Sequence, residues 1–583
     1  MRFRSALLAS LFVVGGCGSF EPSCDAFPDE CAFDPDCDDD EICVDGITNR
    51  ECVPVVLCED GCPANESCIQ RPDTPPRNPF EPETPGKRVC TCDGQLCGDG
   101  GNGAWGGYGG SGAYGGEGGS GGSGGFGGSG GSTSLTMCGI ESPSGEPQSS
   151  TRFGDAETQG GPLLALVDTG DDLFTMTAFP FAGTVDPGGG PVTSKGGTDI
   201  AFAIRSGDDA LALAGGIGGT GAEMLTALDG SKDLFLLAIS FEGTIDLPGE
   251  TLDAGSGSAV ALVGIEPLGA FASKNVLRSD GQVTVSGVAV DAFQQYVTVA
   301  GSFSGSLDLG DVTLTSGGGT DGFVARIDLY TDAVIWTHQL GGAGDQELSA
   351  LTVTTGGDAI AAGSFDGITE IDGQSGDSDG RDGLVLRLDD TGSLISARFL
   401  GGPERQVVSA LAPTLTDGVV LTGARSGPTT GGKLDLGEGF SLDGVGLVDT
   451  FVVHLGAESE LQWAQLFSGW PEATEIVPRA IAVDCEDHVT ITGSTTGGVL
   501  YGNDAAIPGI GKSDTFVMKL DRLGKKQWIQ VLGGAEDDSP TSVVARGNKD
   551  ILVGGSFFGA ANFGAGELVS AGADDTFVAR LSP

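Results

Sequence analysis

The chain has 583 residues, 103 of them Gly, and a formal charge of −52 from 29 basic and 81 acidic side chains. Such a charge excludes the cationic surface that nucleic-acid binding requires. The Gly content, about 18 % against a usual ~7 %, disfavours helical bundles, in which each interior Gly costs about 1 kcal/mol.

Residues 1–16 predict a short export signal. Arg2 and Arg4 give a positive start, and Ala6–Val14 is an apolar run too short to span a bilayer in the mature protein. The run ends in Val14-Gly15-Gly16-Cys17. Small residues before a Cys at this spacing resemble the bacterial lipobox. That resemblance implies cleavage before Cys17, a diacylglyceryl thioether on it and an N-acyl (palmitate-type) group, which together anchor stably where one chain would not. Gly18 follows, where an Asp would be the inner-membrane retention signal of Gram-negative lipoproteins, so the resemblance implies an outer-membrane or cell-surface address.

Residues 17–98 hold eleven further Cys between Cys24 and Cys97. In an exported chain this density predicts a disulfide-rich module whose cross-links replace a core too small to hold itself. Zinc is the rival reading, disfavoured by the oxidising address and by the lack of a nearby His. Within the module Asp34, Asp36, Asp38, Asp40 and Asp45 partly match a calcium loop. Asp39 stands where such a loop needs its turn Gly, and Asp45 where it needs Glu, so a solvated acidic loop is the simpler reading and calcium a candidate ligand. Residues 72–88 are Pro-rich, and residues 99–133 predict a Gly-rich flexible linker, with 19 Gly among the 31 residues from Gly101 to Gly131.

From about residue 134 the chain predicts an all-β fold. A mark of the form Gly-Ser-Phe-x-Gly, read as a turn, is clearest at Phe303, Phe365 and Phe557 and looser at Phe181, Phe241, Arg425 and Thr495. Its period is about 60–70 residues, giving seven copies. About twenty residues after most marks comes Asp-x-Phe-Val, as at Asp321, Asp449, Asp514 and Asp575, with Asp382 a variant and degraded copies at Phe202 and Val260. An alternating strand ending in Leu-Gly-Gly follows, with Trp336, Trp463 and Trp528 four residues before its end. Four short strands per period, named A to D, repeated seven times, predict a seven-bladed β-propeller of four-stranded blades over residues 134–583. The last copy lacks strand D, and Ser149–Glu157 aligns with the D strand of the sixth copy, so an N-terminal strand is expected to close the ring. These repeats resemble the SBBP-type repeats of bacterial exported proteins. The resemblance implies a propeller and carries no catalytic motif.

Chemistry is sparse. His338, His454 and His488 fall on different strands and copies, and no nucleophile elbow or paired-His motif occurs. Cys138 and Cys485 stand outside the cluster. Either they pair with each other, or Cys138 completes the cluster and Cys485 is free. The D–A turns carry acids at Asp155, Glu157, Glu223, Asp345, Glu404, Glu472, Glu536 and Asp537. Converging turns would form an electronegative mouth suited to Ca²⁺ or a cationic ligand, while the simpler reading is acids that keep Gly-rich turns soluble. The expectation is an envelope lipoprotein whose propeller is a non-enzymatic scaffold binding an envelope or extracellular protein or glycan. The alternative is a carbohydrate-active hydrolase or lyase with carboxylates in the mouth. A structural envelope protein without ligand specificity is the third.

Overall fold

The computed structural model describes residues 144–583 apart from short stretches at 270, 292–294, 428–431, 438, 445, 472–473, 503 and 547–549. It also describes the backbone of five strands nearer the start: Glu41–Asp45, Arg50–Pro54, Glu66–Gln70, Arg88–Cys92 and Gln95–Leu96. The chain divides into two compact units, Met1–Gly110 and Ser111–Pro583. In the first unit two antiparallel pairings set Cys43 opposite Cys52 and Cys68 opposite Cys90. Asp45 ends the first of these strands. Cys17, Cys138, Asp34, Asp36, Asp38, Asp40 and the predicted linker lie outside the described residues.

The second unit is all-β. Its inner strands are Leu163–Asp168, Met224–Ser231, Val283–Val290, Gln346–Val353, Arg405–Pro413, Ile476–Val483 and Asp538–Ala545. Each opens a four-stranded antiparallel meander, A to D, numbered 1 to 7. Each inner strand also touches the next, and the seventh touches the first, so the inner strands form a closed cycle. Radial meanders around such a cycle make a β-propeller. Strand D of meander 7 is Pro147–Phe153, which pairs with Asp575–Leu581 from Thr576↔Phe153 to Leu581↔Pro147. The outer strand expected near residues 149–157 is therefore in place. Around it Ser144 N–H donates to the Pro583 carbonyl (2.9 Å) and Ser582 N–H to the Glu146 carbonyl (2.9 Å).

The structure corrects the reading of the repeated mark. Gly-Ser-Phe lies within strand B, ending it in meanders 1, 3 and 7, and its Phe is core: Phe181, Phe241, Phe303, Phe365 and Phe557 are all buried. The turn begins at the last Gly of the mark, with Gly305, Gly367 and Gly559 at φ of 73°, 72° and 76°. The first Gly answers a different demand. Six of the seven inner strands carry a β-bulge at one register, as between Val285 and Gly287, Leu348 and Ala350, and Pro540 and Ser542. A bulge crowds the partner strand. A Cβ at Gly301 or Gly363 would fall 1.9 Å from the carbonyl oxygen of Thr284 or Glu347. The C strand of meander 1 also differs from the reading, since its Asp is Asp199, three residues before Phe202.

Candidate binding rim and buried acids

The B–C loops and D–A turns share one rim. There the acids expected to converge on a mouth are instead held by neighbouring loops. Asp155 accepts from the backbone N–H of Thr184 (2.6 Å) and Glu157 (2.9 Å) and from Gln159 Nε2 (2.9 Å). Burial raises its pKa, but these bonds outweigh it and the net shift is downward. Asp345 accepts from Thr320 N–H at 2.8 Å. Glu404 pairs with Arg425 at 3.0 Å, and Glu536 pairs with Lys512 at 2.5 Å. Glu223 is buried. Glu157 and Asp537 stay on the rim, and Glu472 lies outside the described residues. No group of three or more metal-ligating side chains occurs among the described residues.

The Asp that opens strand C has a task the sequence did not disclose. Asp199, Asp321, Asp382, Asp449, Asp514 and Asp575 are all buried. Most hold the approach to their own strand by accepting backbone N–H bonds, as from Lys195 to Asp199 (3.0 Å), Gly317 to Asp321 (3.0 Å) and Ile510 to Asp514 (2.7 Å). The glycines after strand D make room for these carboxylates. A Cβ at Gly218 would sit 2.1 Å from the Asp199 carboxyl carbon, and one at Gly341 would sit 2.9 Å from Asp321 Oδ2. This is a physical reason for Leu-Gly-Gly.

Except after meander 5, the next inner strand answers the Asp with a buried polar residue near its start. Gln346 and Gln406 open meanders 4 and 5, Gln159 precedes meander 1, and acids stand at Glu223 and Asp538. Two carboxyls therefore share a dry junction at Asp199/Glu223 and at Asp514/Asp538. A Cβ at Gly533 would lie 2.5 Å from Asp538 Oδ2 and 2.9 Å from Asp514 Oδ1. Burial, with the neighbouring carboxylate adding to it, pushes Glu223 and Asp538 each up to about 7. In meander 5 the partner is a cation. Arg425, which replaces the Phe of the mark, is fully buried and donates to Asp449 Oδ2 (2.9 Å), Glu404 Oε2 (3.0 Å) and the Gly446 carbonyl (3.0 Å).

The opposite rim carries ion pairs between A–B turns and C strands. Arg387 meets Asp358 at 2.8 Å, and Lys519 meets Asp484 at 3.0 Å. Burial raises the Asp484 carboxyl, but hydrogen bonds from His488 and Lys519 and the Lys519 charge outweigh it and hold it at about 2. Across the seam between meanders 7 and 1, Arg546 and Arg580 both reach Asp209 and Asp550. The three His are dispersed: His488 lies 3.5 Å from Asp484, His454 packs edge-on to Trp463 at 5.5 Å, and burial lowers the pKa of His338 and His454. Cys485 is disulfide-bonded and does not act as a free thiol.

Large apolar side chains are exposed along the B–C/D–A rim: Met224, Ile368, Trp470, Ile510 and Phe558. They come from five meanders. The gap between the inner strands of meanders 6, 7, 1 and 2, lined by Leu163, Leu164, Leu228, Ile481 and Val543, has no room for a water molecule.

No protein-family model matches the sequence, and no curated protein matches it. Solved structures to which the chain is similar include the Dos1 propeller, at 10% identity over 75% of this chain and 94% of that one, with a TM-score of 0.34. The WD40 repeats of RRP9 give 11% identity over 59% and 91%, with a TM-score of 0.27. The rhamnogalacturonan lyase YesW gives 9% identity over 65% and 90%, with a TM-score of 0.22.

Proposed function

We propose that this chain is an exported lipoprotein, anchored through Cys17, whose seven-bladed propeller of SBBP-type repeats serves as a non-enzymatic binding scaffold outside the cytoplasm. The address rests on the lipobox-like Val14–Cys17 and on the disulfide-rich module of residues 17–98. The disulfide at Cys485 supports it, because structural disulfides belong to oxidising compartments. In this reading Cys138 is the partner of Cys485.

The observation that carries the binding role is the set of exposed apolar side chains on the B–C/D–A rim, which also carries Glu157 and Asp537. Exposed apolar groups rimmed by polar ones mark interaction surfaces. The partner that fits is an envelope or extracellular protein, or a glycan, offering apolar and cationic groups together.

Two measurements test the proposal. Labelled palmitate should enter the wild type and not Cys17→Ser; equal labelling overturns the anchor. Immobilised full chain should retain envelope proteins or glycans that the triple variant Ile368→Ser/Trp470→Ser/Ile510→Ser releases. Retention unchanged in that variant overturns the rim, and hydrolysis of a glycan panel by the purified chain favours the enzyme alternative.

A further inference from the structure

Among the C–D turns, that of meander 6 stands apart in charge. The turns of meanders 1 to 5, at residues 206–210, 266–270, 328–333, 389–393 and 456–460, hold acids and no Lys or Arg. The turn of meander 6 runs Asp521-Arg522-Leu523-Gly524-Lys525, and Lys526 opens strand D. Leu523 is 72 % exposed, and Arg522 and Lys525 are exposed on either side of it. Among the described residues neither of these two cationic side chains makes a hydrogen bond or an ion pair, whereas Lys526 pairs with Asp504.

The turn is fixed in advance. Asp521 accepts the N–H groups of Leu523 (3.0 Å) and Lys525 (2.8 Å), and Trp463 of meander 5 donates to the Arg522 carbonyl (3.0 Å) while covering Gly524. An exposed apolar tip between free cations suits a surface that is apolar inside and anionic at its face, as a bilayer with anionic headgroups is. Leu268 and Tyr330 are exposed tips of other C–D turns. Glu266 flanks the first and Asp328 and Asp332 the second, which such a surface repels. Position points the same way. The described chain enters the ring at residues 144–146 on the A–B/C–D rim, where Gly145 lies under Trp528, on the D strand that this turn leads into. Cys485, disulfide-bonded in the A–B turn of the same meander, lies on the same rim. The segment leading back to the proposed anchor therefore arrives beside meander 6.

We propose that the C–D turn of meander 6 is a membrane-contact element: Leu523 enters the interface of the bilayer that holds the anchor, and Arg522 and Lys525 meet the phosphates of anionic lipids. The proposal rests on the lipoprotein reading for the presence of that bilayer. Tethering raises the local concentration of the lipid surface, so a contact that is weak in free solution suffices. The negative charge of the ring does not prevent it, because in about 0.15 M salt exposed charges more than about 8 Å from the lipid are largely screened.

Co-sedimentation with vesicles tests the contact, using the full chain with Cys17→Ser so that no acyl anchor contributes. Vesicles of equimolar phosphatidylglycerol and phosphatidylcholine should carry the protein down, and vesicles of phosphatidylcholine alone should not. Arg522→Ser/Lys525→Ser should lower the partition coefficient about twentyfold, and Leu523→Ser about fivefold. All three positions are exposed, so urea midpoints of the variants should match the parent. No binding to anionic vesicles, equal binding to both kinds of vesicle, or equal partitioning of the double variant overturns the contact. If the double variant does not fold, equal partitioning of Leu523→Ser overturns it instead. Retention on a sulfated-polysaccharide resin that the double variant loses, without vesicle binding, assigns the turn to an acidic glycan and also overturns the membrane contact. Palmitate labelling at Cys17 reads the anchor separately, so the failure of one reading is distinguishable from the failure of the other.

Discussion

Trp528 lies across Gly145, whose φ is 62° and whose missing Cβ would fall 2.5 Å from the indole ring. Trp336 covers Gly392 and Trp463 covers Gly524 in the same way, each Trp on strand D and each Gly in the C–D turn of the next meander. Those two Trp also donate to the Asp390 and Arg522 carbonyls at 3.0 Å. Gly145 belongs to no hairpin. It stands where residues 144–146 meet residues 582–583, so two distant segments imitate one turn.

Gly145→Ala should therefore cost as much as Gly392→Ala. Each combines a left-handed backbone with a blocked indole, worth about 2–4 kcal/mol. Urea midpoints of the two variants check this. A neutral Gly145→Ala beside a damaging Gly392→Ala would mean the seam does not act as a turn.

The seam also rests on charge. Arg152 of the closing strand pairs with Asp575, which is fully buried. Arg152→Ala leaves that carboxylate alone. The expected loss is about 1–3 kcal/mol, below the figure for a fully dry pair because Arg152 is a third exposed. Double substitution with Asp575→Asn should recover part of it, and a two-variant unfolding cycle measures the coupling.

Acidity should tune stability through three carboxyls. Glu223 and Asp538 titrate near 7 when folded, against 4.5 and 3.8 ordinarily. Protonated groups favour the folded state, so their contribution is full below about 4 and is lost as pH rises to about 7. Asp484, held at about 2, acts oppositely: its contribution is present above its ordinary 3.8 and is lost as pH falls towards 2. Unfolding midpoints should thus fall between pH 4 and pH 8. Glu223→Gln with Asp538→Asn should flatten that fall, and an unaltered slope would count against the junction acids.

Arg425→Met removes the cation that pairs with both Asp449 and Glu404. A loss of about 3–5 kcal/mol is expected. Arg425→Phe, which restores the residue of the mark, should not rescue stability, because Asp449 remains buried without the guanidinium. Recovery on adding Asp449→Asn would locate the cost in that carboxylate.

The fold was legible because its repeat is written in residues with one physical use. Phe in strand B is core, Asp at the start of strand C accepts backbone N–H groups, and Gly after strand D clears space for that Asp. Spacing alone brought out the meanders and the strand that completes the last one. The inner-strand bulge was not legible, since Ser349 or Thr541 looks like any alternating strand residue until pairing shows the slip. The acids misled for a related reason. Linear position places Glu223, Glu404 and Asp345 in D–A turns, but whether a turn carboxylate meets solvent, Arg425 or a backbone N–H depends on the neighbouring meander. Arg425 read as a worn copy of Phe, whereas its carboxylate partners lie 21 and 24 residues away.

The closing strand has a consequence for the order of synthesis. Pro147–Phe153 is among the earliest segments of the ring to be made, and its partner Asp575–Leu581 is the latest. Six meanders can assemble while the first-made strand waits with one edge bare. Ring closure therefore waits for Asp575–Leu581, and a ribosome or export channel still holding residue 581 holds the whole ring open.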